Sequence, residues 1–122
     1  MTREQRDLLL KDLCARLPYG VKGEKYTIRM DGEFVPLIDV EVIIAEDIIT
    51  LNGCPGYMIR PYLFPLSSMT EEQKTSHNFL KHSAYANPIK LVDWYNKNHF
   101  DYRGLIPMGL ANDATDKNIY QL

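Results

Sequence analysis

The run His99-Phe100-Asp101-Tyr102-Arg103-Gly104 places an imidazole, a carboxylate, a phenol and a guanidinium within five positions. Groups of these types can move protons or hold an anion. The same residues also suit the end of a helix. There His99 and Arg103 would satisfy terminal carbonyls and Asp101 would pair with Arg103. Spacing alone does not bring the groups to one point, so the structural reading is the expectation and a small hydrolase or metal-assisted enzyme built on His99 and Asp101 is the alternative.

A second concentration of chemistry lies upstream. Between Asp31 and Asp47 stand six acids (Asp31, Glu33, Asp39, Glu41, Glu46, Asp47) and no Lys or Arg. Paired carboxylates can hold a divalent cation or act as acid and base. The alternation of Asp39 and Glu41 reads more simply as the solvated face of a strand. Such a face would meet a basic partner. Aromatic residues stand beside arginine at two places, Tyr57, Tyr62 and Phe64 near Arg60, and Tyr95, Phe100 and Tyr102 near Arg103. Tyr and Arg are enriched at binding hot spots, and they are also ordinary in a Tyr-rich core. The residues expected at a binding surface are Asp39, Glu41, Tyr57, Arg60, Tyr62, His99, Asp101, Tyr102 and Arg103.

Other reaction motifs are missing from the sequence. Gly53-Cys54-Pro55-Gly56 lacks the spacing and the Lys-Ser/Thr ending of a phosphate-binding loop, and no Gly-x-Ser-x-Gly occurs. Ser67-Ser68 precedes a capping box and reads as a helix entry. His77 and His82 are five residues apart, about 140° around a helix, so one helix cannot aim both at one metal. The two cysteines, Cys14 and Cys54, make neither a disulfide framework nor a zinc pattern. Cys14 is expected as a buried thiol on the apolar side of a helix, and Cys54 in an accessible turn. No cofactor or metal is expected.

The elements that would position these groups fall into three zones. Thr2 and Gln5 form a capping box opening a helix to about Leu17, with Leu9, Leu10, Leu13, Cys14 and Leu17 as its apolar stripe and Pro18 and Gly20 ending it. Residues 24–63 are strand-rich. Tyr26, Ile28 and Met30 alternate with polar neighbours, and Ile38, Val40, Val42 and Ile44 share an expected inner face. Parity selects a three-residue loop, Met30-Asp31-Gly32, with Gly32 left-handed. That pairs Ile28 with Phe34 and Arg29 with Glu33. Pro36 demands an open edge or a bulge. A turn at 45–47 leads to a short strand from Ile48 to Leu51, then a turn at 52–56 and a last strand from Tyr57 to Leu63.

The third zone is helical. Thr70-Glu71-Glu72-Gln73 caps a thinly apolar surface helix to about Tyr85. Asn87-Pro88 opens another to about Asn98, with Leu91, Val92, Trp94 and Tyr95 inward. Phe100 to Leu110 reads as an ordered loop on the core. Residues from about 111 read as a polar tail with a docking contact at Ile119-Tyr120. The expectation is one α+β domain over 1–122, an antiparallel meander of about four strands with an N-terminal helix and two C-terminal helices. No βαβ alternation is expected.

The 122 residues carry 14 basic and 16 acidic side chains, for a net charge of −2, with 45% hydrophobic residues. These proportions suit a globular domain and discourage nucleic-acid binding, which needs a basic footprint. The excess is local, because residues 1–61 carry 8 basic and 10 acidic groups while 62–122 balance at 6 and 6. Single-strand binding through stacked aromatics would need a basic track beside them. No apolar run reaches the roughly 18 residues of a membrane span, and the charged N-terminus lacks a signal peptide's apolar stretch. A cytoplasmic protein is expected.

The runs Arg60-Pro61-Tyr62-Leu63-Phe64-Pro65-Leu66-Ser67-Ser68-Met69-Thr70-Glu71-Glu72 and Asp93-Trp94-Tyr95-Asn96-Lys97-Asn98-His99-Phe100-Asp101-Tyr102-Arg103-Gly104-Leu105-Ile106 resemble a family of small proteins of gut Bacteroidales, their phages and mobile elements. The resemblance covers about half the chain, mainly from Asp39 onward. A basic residue often stands in that family where this chain has Phe64, which speaks against a basic groove around Arg60. The family has no established activity and transfers no functional residues. It implies an accessory protein of mobile DNA. Together with the residue pattern it points to a non-enzymatic interaction module that binds or inhibits a host or phage protein.

Overall fold

The computed structural model describes residues 1–29, 31–54 and 56–120, with the side chains of Ile28, Phe34, Leu37, Ile38 and Asp39 also outside the described set. The expected loop residue Met30 and the turn residue Pro55 lie outside the described residues. The elements run α1 (Arg3–Arg16), β1 (Lys22–Ile28), β2 (Phe34–Val42), α2 (Ala45–Gly53), β3 (Tyr57–Leu63), α3 (Glu71–His82), α4 (Pro88–Lys97) and β4 (Asn112–Asp113).

Helix α1 begins where its capping box requires. Thr2 Oγ1 accepts the Gln5 N–H, and the Gln5 side chain accepts the Thr2 N–H. Its buried face is rotated from the expected stripe. Leu9, Asp12, Leu13 and Arg16 are fully buried, at the i, i+3, i+4, i+7 spacing of one helix face. Cys14, expected inside, is exposed. Two of the four positions on the buried face are charged, so reading only the apolar residues turned the helix.

The hairpin follows the expected register, with Ile28 opposite Phe34 and Gly32 at φ +87°. The Arg29 N–H donates to the Glu33 carbonyl at 2.7 Å, while the Arg29 guanidinium turns to Asp31 at 3.7 Å. Farther along, β2 slips twice against β1. Gly23 faces Glu41, Lys25 faces Ile38, and Tyr26 faces Pro36. One slip lies between Ile38 and Pro36, where the missing N–H of Pro36 accounts for it, and the other between Glu41 and Ile38. The slips undo the expected inner face, and Val40, Val42 and Ile44 are exposed.

The expected strand 48–51 is instead part of α2. Its β-branched residues favour strand by propensity, but the pattern of burial is helical. Asp47 and Leu51 are buried four residues apart, and Ile49 is 71% exposed. The Asp47 carboxylate accepts the Ile44 N–H at 2.9 Å, and the Thr50 hydroxyl donates to the Glu46 carbonyl. Both bonds are local and close the first turns of the helix.

Because α2 intervenes, β3 pairs with β1 rather than β2, and the sheet order is β2-β1-β3-β4. Strands β2 and β3 both run antiparallel to β1 and so parallel to each other, while β4 runs parallel to β3. The fold is α+β, but the sheet is mixed and not an antiparallel meander. The β2-α2-β3 crossover straddles β1, so a βαβ-like connection exists where none was expected. At the β1–β3 crossing Gly23 lies against the partner backbone, where an added Cβ would sit 2.8 Å from the Arg60 carbonyl oxygen.

Helices α3 and α4 begin at their expected caps, Thr70 and Asn87. On α4 Tyr95 and Asn96 are buried, Leu91 and Trp94 half-buried, and Val92 exposed. Phe100, Leu105 and Leu110 in the following loop are buried as expected. The segment read as a polar tail is tied in, since Ala111 and Ala114 are buried and β4 lies between them. The main core joins Leu9, Leu13, Val21, Ile43, Leu51, Ile59 and Leu63. A second, aromatic cluster holds Met69, Tyr95 and Phe100.

Candidate functional site

The His99–Arg103 segment sits where α4 turns back toward the sheet. His99 takes a left-handed φ of +60°, and its carbonyl accepts the Phe64 N–H at 2.8 Å. The Asp101 N–H donates to the Phe64 carbonyl at 2.9 Å. Asp101 is buried, and its two oxygens accept the N–H groups of Leu105 and Ile106 at 2.8 and 2.9 Å. Both oxygens therefore hold the next turn of the loop. Arg103, expected to pair with Asp101, reaches Asp12 on α1 instead, Nε to Oδ1 at 3.1 Å.

Asp12 stands between two guanidinium groups. Arg16 Nε donates to its Oδ2 at 2.8 Å, and both side chains are fully buried. Arg16 Nη2 also donates to the Phe100 carbonyl at 2.6 Å. The Arg16 and Arg103 guanidinium carbons lie 5.3 and 4.9 Å from the Tyr102 ring centre, and Tyr102 stacks on Tyr95 at 5.1 Å. These are cation–π distances. The cluster knits α1 to the loop that follows α4.

His99 does not join that ion network. Its ring stacks on Tyr120 with centres 3.7 Å apart. Burial, with Arg16 and Lys22 nearby, lowers its pKa from the ordinary 6.5 to about 4. The Tyr120 hydroxyl accepts the Lys22 N–H at 2.8 Å and donates to the Tyr62 carbonyl at 2.7 Å. Burial pushes the Tyr120 phenol up to about 12. The structure thus spends His99 on a stack and Asp101 on backbone, and does not bring the two into an acid–base pair.

The acidic segment is divided in the same way. Lys25, only 6% exposed, donates to Glu41 at 2.5 Å and to Asp47 at 2.8 Å. Burial works to lower the Lys25 pKa, but the bonds to Asp47 and Glu41 and their charges outweigh it and raise it. Tyr57 beside them is raised by burial and by the Asp47 charge. Asp39 lies on β2, and its side chain is outside the described residues. Among the described residues no three His, Cys, Asp or Glu side chains gather as a metal site.

The remaining expected site residues cluster on the other face of β1 and β3. Glu24 accepts from the hydroxyls of Tyr26 and Tyr62, and it stands opposite Arg60. The Arg60 guanidinium lies 5.3 Å from the Tyr26 ring centre. Tyr62 is buried, and Tyr57, Arg60, Tyr102 and Arg103 are half-buried. Reading the sequence missed Asp12, Arg16, Glu24 and Lys25, while the docking contact expected at Ile119-Tyr120 is made by the Tyr120 hydroxyl and ring. The i, i+4 spacing of Asp12 and Arg16 was the available signal for one ion pair; the partners of the others are far away in the chain.

Among the described residues no strand pairs with the outer edge of β2, which ends the sheet order. The Ile43 N–H donates to the Val21 carbonyl at 2.8 Å. Antiparallel alternation then turns the Val42 N–H and C=O away from β1, toward the unpaired side. The side chains of Val40, Val42 and Ile44 are 36%, 44% and 48% exposed on the same stretch. Among the described residues no helix is long and apolar enough to cross a membrane. No protein-family model, curated protein or solved structure matches this chain.

Proposed function

We propose that the chain is a non-enzymatic protein-interaction module that receives an extended, basic segment of a partner along the outer edge of β2. The observation that carries this reading is the outer edge of β2 at Val42, where outward-turned backbone lies beside the exposed side chains of Val40, Val42 and Ile44. Natural proteins guard such edges, because they template pairing with another strand. Strand addition uses the backbone for affinity and alternate side chains for specificity. The six acids from Asp31 to Asp47 outnumber the cations that meet them, Arg29 at Asp31 and the buried Lys25 shared between Glu41 and Asp47, and this excess favours a basic partner. The groups that looked reactive in sequence are engaged in pairings that hold the fold.

In this reading the biological setting is that of the resemblance, an accessory protein of phage or mobile DNA acting on a host or phage protein in the cytoplasm of gut Bacteroidales. The test is a quantitative pull-down from a Bacteroidales lysate with the wild-type chain and the V40K/V42K variant, which places charge on the exposed edge. A partner is expected on the wild type and to fall at least tenfold on the variant, with D39N/E41Q giving an intermediate loss. Capture of no partner, or of one that ignores both variants, sinks the reading.

A further inference from the structure

Helix α3 lies at the surface of the fold. None of its residues is buried, and its main packing partner is α4. The contact is made by His77, whose Nε2 lies 2.7 Å from the Tyr95 hydroxyl and whose ring neighbours Trp94. Around this contact the hairpin of α3 and α4 leaves large apolar groups in water. Phe79 is 54% exposed, Tyr85 78% and Ile89 76%. Phe79 and Tyr85 stack on each other at 6.1 Å. Beside Phe79 runs a groove of about 420 Å³ lined by Thr75, Ser76, Phe79, Leu80 and Trp94. Concentrated exposed apolar surface beside a recessed aromatic is the form of a recognition site.

Charge selects among possible occupants. From Gln73 to Val92 there is no Asp or Glu, while Lys74, Lys81 and Lys90 fall within that stretch, and the exposed Asp93 follows it next to Trp94. Lys74 is paired with Glu71 at 3.1 Å. Lys81 and Lys90 make no ion pair among the described residues and are exposed. Glu72 stands three and four residues before Thr75 and Ser76, on the groove side of α3, and marks the opposite end of that face. The ring of Trp94 is stacked by Phe100 at 5.4 Å and flanked by His77, so its faces are not open to a nucleobase. The groove is shallow and carries the hydroxyl residues Thr75 and Ser76 among its apolar groups, which suits an apolar side chain of a peptide with polar flanks better than a lipid surface.

We infer that the α3–α4 groove docks an acidic peptide segment of a protein partner, with an aromatic or branched aliphatic side chain inserted beside Phe79 and Trp94 and carboxylates at the Lys81 and Lys90 end. This surface is distinct from the β2 edge, and it stands whether or not that edge binds anything. Anchors in apolar pockets carry most of the energy of such contacts, and rim charges set orientation and salt dependence.

Trp94 is the single tryptophan and lines the groove, so its fluorescence reports occupancy directly. A random 12-residue peptide library is panned on the full chain, and enriched peptides are titrated against Trp94 emission. Phosphatidylserine vesicles and a 20-nucleotide oligo-dT are titrated in parallel. The expected result is enrichment of Asp/Glu-rich peptides with one aromatic or leucine anchor. Their affinity should fall at least tenfold in F79A and in K81E/K90E, with unchanged circular dichroism, and stay within twofold in V40K/V42K. No enrichment, enrichment of basic peptides, or binding indifferent to F79A and K81E/K90E overturns the proposal. So does a Trp94 shift produced by vesicles or oligo-dT but not by acidic peptides. Failure here with a partner still lost on V40K/V42K would remove this site and leave the β2 edge standing.

Discussion

Asp12 is the residue on which the polar core turns. It is fully buried and is the carboxylate shared by Arg16 and Arg103. A buried pair is weak evidence for net stability, because desolvation offsets much of the attraction, but removing one partner leaves a buried charge uncompensated. Asp12→Asn should therefore destabilise the protein by about 3–5 kcal/mol, read from the urea midpoint at constant m-value. Arg103→Ala should cost less, since the Arg103 side chain is 18% exposed and can be hydrated. Replacing Asp12 and Arg16 together by Leu and Met should recover much of the loss. A double variant no more stable than Asp12→Asn alone would contradict this account. The pair was half legible in sequence. The i, i+4 spacing showed that the two could meet, and only the arrival of Phe100 and Arg103, over 80 residues later, put them inside.

The elements divide by how locally their signals are written. Helices α1, α3 and α4 start where Thr2, Thr70 and Asn87 cap them, because a cap and its target N–H lie within three residues. The hairpin register was legible from the local turn, where one left-handed glycine suits a three-residue loop; the parity argument for it rested on an inner face at Val40, Val42 and Ile44 that the slips in β2 undo. Helix α2 was not, because Ile48, Ile49 and Thr50 prefer strand and only the burial of Asp47 and Leu51 tips the balance. The β1–β3 crossing shows what a non-local contact demands of one residue. Gly23 at that crossing admits no side chain without moving the Arg60 and Pro61 backbone, which stand 2.8 and 3.0 Å from an added Cβ. Gly23→Ala should cost about 1–3 kcal/mol in thermal or urea unfolding, as overpacking does. A loss below about 0.5 kcal/mol, the range of neutral surface changes, would show that the crossing relaxes freely.

At the scale of the whole molecule, the last described residues close the structure onto its first strand. Tyr120 bridges Lys22 and the Tyr62 carbonyl and covers the His99 ring. This clasp links stability to pH. An unfolded histidine takes up a proton near 6.5, while folded His99 does so only at about 4. Between those values the unfolded chain holds the extra proton, so this contribution is complete above pH 6.5, falls as pH drops toward 4, and levels off below it. His99→Asn keeps a residue that tolerates the left-handed backbone but removes the titration. Over pH 4–6.5 the wild type should lose more stability than His99→Asn, and parallel profiles in urea melts would refute the clasp. The division of charge belongs to the same scale. The acids between Asp31 and Asp47 and the lysines between Gln73 and Val92 fall in different parts of one nearly neutral chain.

The sequence by itself determined the α+β class, the three capped helices, the first hairpin with its register, and the local excess of acid. Each rests on interactions between residues a few positions apart, or on composition, and neither needs the rest of the chain. Tertiary structure alone decided that α1 buries an ion pair, that 45–53 is a helix, that β3 lies beside β1, and that Val40, Val42 and Ile44 face water. It also decided that His99 and Asp101 serve packing and backbone rather than each other. Those outcomes depend on which distant group arrives to satisfy a charge or cover an apolar face. Burial and desolvation are properties of the assembled chain, not of any segment read alone.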